Sequence, residues 1–115
     1  MISAKKMYID EDGYPRAEFE FPYENLGRYL IDDVQNNPNV CRELIQDCDD
    51  IMNGRSENLD GVGNAHHLVI SQDDVRVACE FSDDYPPCTL STGEFRQILL
   101  AWLHLIDPDA NEDPG

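Results

Sequence analysis

The sequence predicts an α+β fold, a single domain in which an antiparallel sheet made of two β-hairpins carries about three helices on one face. Three observations predict it. Two stretches alternate apolar and polar residues around turn signals, residues 23–53 place apolar side chains three and four apart, and residues 90–106 read as one long capped helix. At 115 residues the chain can bury about two thirds of its unfolded surface, so a single core over residues 1–106 is expected. Residues 107–115, with two prolines and four acids, are expected to be an acidic disordered tail.

The first hairpin pairs residues 7–9 with 17–21 across Asp10-Glu11-Asp12-Gly13, where Asp-Gly is the turn signal. Alternation sends Ala17, Phe19 and Phe21 inward and Glu18 and Glu20 to water, and Pro15, which lacks a donor, places the start of the returning strand after itself or at an edge. Tyr23, Leu26, Leu30 and Val34 form the stripe of a first helix that Gly27 weakens slightly. Asn36-Asn37-Pro38 interrupts it, since Asn37 suits a cap and Pro38 the first helical position. A second helix, striped by Val40, Leu44, Cys48, Ile51 and Met52, runs to about Asn53 and is expected to pair with the first. Gly54 fits the left-handed position past its end.

Residues 55–64 are polar and glycine-rich and are expected to be a mobile loop. The second hairpin joins residues 68–70 to 75–81 through Gln72-Asp73-Asp74, with Val75, Val77, Cys79 and Phe81 inward. Residues 82–87 form a rigid acidic loop. In the last helix Ser91 and Glu94 make a capping box, and Leu90 and Phe95 a hydrophobic staple. Phe95, Ile98, Leu99, Trp102, Leu103 and Ile106 share one face until Asp107-Pro108 ends the helix.

Charge narrows the function classes. Twenty-four acids against eight bases give a formal charge of −16, far beyond the magnitude of roughly 2 to 8 that suffices for solubility. Such a chain repels nucleic acid and anionic membranes and steers basic proteins inward. The four cysteines include no C-x-x-C pair and are expected to be reduced, with Cys48 and Cys79 acting as small apolar residues. Met1 to Tyr8 has no apolar run after Lys5 and Lys6, so a secretory leader is not expected. The apolar run 98–106 is too short to span a membrane.

Catalytic and metal motifs are not found. Aligning Gly13 with the invariant glycine of a calcium loop puts Tyr8 and Phe19 at ligand positions, and in the tail Glu112 stands where that glycine belongs. His66 and His67 are adjacent and point to opposite faces of a strand, which disfavours chelation. No G-x-S-x-G, H-E-x-x-H or phosphate-binding glycine loop occurs, so neither catalysis, a cofactor nor a metal is expected. What remains is a set of acidic clusters at turns and on helix surfaces. Asp10, Glu11, Asp12, Asp73, Asp74, Asp83 and Asp84, with Tyr85 as an aromatic anchor, are the residues expected to meet a basic partner.

The stretch Thr89-Leu90-Ser91-Thr92-Gly93-Glu94-Phe95, running into Ile98-Leu99 and Trp102, together with small size and extreme acidity, resembles bacterial immunity proteins of the contact-dependent inhibition type (CdiI). The resemblance implies a cytoplasmic antitoxin, monomeric or in a 1:1 heterodimer, that covers the active site of a basic toxin domain of the CdiA C-terminal type, such as a nuclease. It carries over no individual binding residue. The alternatives are a nucleic-acid mimic that inhibits a DNA- or RNA-binding protein, which would space its acids like phosphates along one elongated face, and an acidic housekeeping domain without such a partner.

Overall fold

The computed structural model describes residues 6–109. The α+β class holds, with three helices and antiparallel pairing throughout, but the two hairpins lie in separate sheets. Strands β1 (Lys6–Ile9) and β2 (Pro15–Glu18) form a two-stranded sheet in which Ile9 faces Pro15. The return strand therefore starts at Pro15 itself, as an edge position allows, and ends before Phe19. Phe19 stays buried, whereas Phe21, expected inward, is exposed.

Strands β3 (Leu59–Val62), β4 (His66–Ile70), β5 (Asp74–Cys79) and β6 (Cys88–Ser91) form a four-stranded sheet in chain order. Two of these were not expected. β3 occupies part of the stretch read as a mobile loop; its half-buried face is Leu59 and Gly61 and its exposed face Asp60 and Val62, so the sequence carries no apolar alternation there. β6 is only four residues long and runs straight into the last helix. Ser91 serves both elements, because its φ of −67° and ψ of 150° are those of a strand residue and of a helix cap. Cys79 ends β5, so Phe81 falls beyond the strand. It is 79% exposed, contrary to the inward placement that alternation predicts.

Helix α1 (Glu24–Tyr29) widens into a π-helical turn (Leu30–Val34), closed by the Gln35 amide donating to the Leu30 carbonyl five residues back (2.8 Å). Leu26, Leu30 and Val34 are buried as the stripe predicts. Helix α2 (Pro38–Met52) begins where expected, with Asn37 Oδ1 accepting from the amides of Asn39 (3.1 Å) and Val40 (3.3 Å). Its chief partner is helix α3 (Thr92–Ile106) rather than α1. The Cys41 thiol donates to the Leu99 carbonyl (3.2 Å), and Arg96 grips both carboxylate oxygens of Asp49 (2.6 and 3.1 Å).

Helices α1 and α3 cover one face of the large sheet, where Phe95, Leu99 and Trp102 meet Leu68, Val75, Val77 and Leu26 in one buried cluster. The Trp102 indole donates to the Gln35 carbonyl (2.8 Å), which satisfies the only polar atom of that side chain inside the core. Past α3, Asp107 caps the last turn and pairs with Arg42 (2.9 Å). Residues 110–115 of the expected tail lie outside the described residues.

Candidate functional site

The acidic residues selected by charge and turn position are not brought to one place. Asp10 is consumed by its own turn, with Oδ1 accepting from the amides of Asp12 (3.0 Å) and Tyr14 (2.9 Å) and Oδ2 from Arg16 Nε (2.9 Å). Those contacts, led by the Tyr14 amide and then Arg16, hold its carboxyl below the ordinary value. Glu11 and Asp12 are exposed beside it. Asp73 and Asp74 lie at the β4–β5 turn, where Asp74 bonds Ser71 Oγ and the Thr92 amide donates to the Asp73 carbonyl. Asp83 and Asp84 follow the far end of β5, whose five steps from Asp74 to Cys79 span roughly 16 Å at about 3.3 Å per residue.

The loop after β5 is where carboxylates, aromatic surface and concavity coincide. Asn25, buried on α1, donates through Nδ2 to the carbonyls of Tyr85 (3.2 Å) and Pro86 (2.9 Å) and so pins the loop onto the helix. Asp83 and Asp84 remain exposed and make no ion pair with another described residue. Phe81 and Tyr85, 79% and 40% exposed, frame them.

Tyr85 separates two depressions. On one side lies a groove of about 380 Å³ whose lining includes Tyr8, Glu18, Glu24, Arg28 and Ile31. Glu24, in that lining, has one carboxylate oxygen, Oε1, that is buried and has no hydrogen-bond partner. On the other side a cleft of about 90 Å³ is lined by Asn25, Arg28, Asp32, His66, Cys79 and Asp84, among others. A larger depression of about 560 Å³, lined by Tyr14, Pro15, Gln35, Asn37 and Pro38 among others, lies beside the first hairpin. Arg16, the charged group in it, is already paired with Asp10.

Beneath the small cleft lies a buried pair that the sequence did not reveal. Asp33, on the π-helical turn, accepts through Oδ1 from the Ala65 amide (3.1 Å) and through Oδ2 from the His66 amide (3.1 Å), and its Oδ1 lies 3.2 Å from His66 Nδ1. The histidine pair was expected to split between faces. His66 is buried, while His67 stands half-exposed against Asp60. Asp33 and His66 are 33 residues apart and share no local pattern. In the sequence Asp32-Asp33 reads as one more acidic cluster; the π-helical turn aims its second member inward.

A family model described as "Uncharacterised protein family (UPF0231)" matches residues 6–84, well over half of the chain. The chain belongs to UPF0231. The span shared with UPF0231 runs from β1 to Asp84 and contains Asn25, Asp33, His66 and Cys79. It ends before Thr89, so the stretch that resembles immunity proteins lies outside it. Among curated proteins and solved structures nothing matches this UPF0231 member.

Proposed function

We propose that this chain is a stoichiometric inhibitor of the immunity type. It binds a basic toxin domain, such as a nuclease, one to one in the cytoplasm, and it does so through the loop that carries Asp83, Asp84 and Tyr85. The observation that supports this most is the groove beside Tyr85, where the Glu24 oxygen has no partner. A buried acceptor without a donor costs about 1–3 kcal/mol, a penalty that an arriving lysine or arginine side chain removes. The ring of Tyr85 in the same groove suits such a cation, as the ring of Tyr8 already does Lys6 Nζ, 4.3 Å from its centroid. Charge points the same way. Arg16, Arg42, Arg55 and Arg96 are all engaged by aspartates, and Asp83 and Asp84 make no ion pair with a described residue, although Arg28 shares the small cleft with Asp84.

The test is titration of the full chain with the toxin domain encoded by the reading frame that precedes its gene, followed by calorimetry and by survival of cells that express the toxin. The expected result is a 1:1 complex, protection, and a loss of roughly 2 kcal/mol or more for Tyr85→Ala as a buried aromatic anchor. No complex at low salt together with no protection overturns the reading.

A further inference from the structure

The cleft behind Tyr85 holds chemistry that partner binding does not use. His66 and Cys79 are register partners on β4 and β5. The neighbouring pair is hydrogen-bonded, with the Glu80 amide donating to the Ala65 carbonyl (2.9 Å), so His66 and Cys79 form the next, non-hydrogen-bonded pair. In that geometry opposed side chains share a face with Cβ atoms roughly 4.5–5.5 Å apart, and both residues line the cleft. His66 is 1% exposed. Its Nδ1 faces Asp33, whose side chain is 4% exposed, and its Nε2 is buried without any hydrogen-bond partner.

A carboxylate on Nδ1 assigns the ring proton to that nitrogen and leaves Nε2 as the basic lone pair. Cys79, His66 and Asp33 thus follow one another in the order of an activated thiol, although no hydrogen bond joins the Cys79 thiol to Nε2 here, so a side-chain rotation of Cys79 has to bring Sγ to it. The other three cysteines are buried, whereas Cys79 is half-exposed.

We propose that Cys79, His66 and Asp33 form an activated thiol site that exchanges with small disulfides. Cys79 Sγ passes its proton to His66 Nε2, and the thiolate attacks one sulfur of the disulfide. The new Sγ–S bond forms as the old S–S bond breaks, and the departing thiolate takes the proton back from the imidazolium; the Cys79 sulfur is oxidised and the departing sulfur reduced, the small disulfide itself being the oxidant. Asp33 holds the ring and stabilises the imidazolium, as a positioning residue. Arg28 on one side, with Asp32 and Asp84 on the other, gives the cleft both signs of charge, which suits a disulfide bearing carboxylates and ammonium groups. Tyr29, edge-on to the His66 ring with centroids 6.0 Å apart, is the remaining ionisable group against it.

The experiment reacts the native full chain with oxidised glutathione, and separately with iodoacetamide, from pH 5.5 to 9, and follows each cysteine by mass spectrometry. Modification is expected at Cys79 alone, at least about tenfold faster at pH 6.5 than a free thiol of ordinary pKa near 8.5, with His66→Gln removing that advantage. Because His66→Gln can disturb the fold, the His66 titration is also followed by NMR in the wild type and in Cys79→Ser. A displaced midpoint is expected, since coupled groups titrate together. A Cys79 rate that follows a free thiol, together with a His66 titration indifferent to Cys79→Ser, overturns the proposal.

Discussion

Asp47 and Asp10 sit in opposite electrostatic settings, and each has a pH signature. Partial burial, then Asp50 three residues on and Glu43 four residues back, push the Asp47 carboxyl up. A carboxyl raised in the folded chain costs stability once ionised, so the penalty is present above its folded value and vanishes as pH falls through it. Asp47→Asn is therefore expected to raise the melting temperature at pH 7 and to lose that effect in acid. Asp10 has the opposite sign. Its lowered carboxyl contributes stability above the ordinary value of 3.8 that is lost as pH falls through the folded value, so Asp10→Asn should destabilise at pH 7 and not at pH 2. Thermal melts of both variants across pH check the two signs. Gly27 is a residue at which packing outweighs propensity. Alanine there would gain about 1 kcal/mol as a helix former, but its Cβ would stand 2.8 Å from the Ala17 carbonyl oxygen and 3.2 Å from Phe19 Cδ2. The carbonyl belongs to β2 and has no room to retreat, so Gly27→Ala is expected to lower stability by about 1–3 kcal/mol in urea denaturation.

Among the elements, α2 and α3 were the most legible in the sequence, because their starts depend on local chemistry. Asn37 before Pro38 and Ser91 before Glu94 each place a side-chain acceptor over free amides, and both caps form. Asn37→Ala is expected to cost about 1 kcal/mol without changing the fold, by loss of its bonds to Asn39 and Val40. The short strands were less legible. β3 and β6 have four residues each and draw their stability from pairing with β4 and β5, which no local pattern reports. The first hairpin was recognised from Asp-Gly, yet its membership of a separate sheet follows from the close approach of β2 to Gly27, again a tertiary matter. The site divides in the same way. Asp83, Asp84 and Tyr85 were found from charge and composition, whereas Asn25, Asp33 and Glu24 acquire their roles from contacts with or burial among distant segments.

For the whole molecule the dominant quantity is the charge of −16 on a body of 41 × 36 × 26 Å. Self-repulsion on that scale is screened by salt, whose Debye length falls from about 30 Å at 0.01 M to about 10 Å at 0.1 M. The urea midpoint is expected to rise over that interval, and a midpoint indifferent to salt would show that the acids are too dispersed to repel. On the proposed reading the same field would steer a cationic partner, and the two aspartate pairs at opposite ends of β5 would not face it equally. The most direct measurement is the association rate with the toxin domain as a function of ionic strength, for the wild type, for Asp83→Asn with Asp84→Asn, and for Asp73→Asn with Asp74→Asn. Slower association with a flatter salt dependence is expected for the 83/84 pair and a near-wild-type rate for the 73/74 pair. Equal rates in all three proteins at every salt concentration would contradict an interface at the loop that Asn25 pins beside Tyr85.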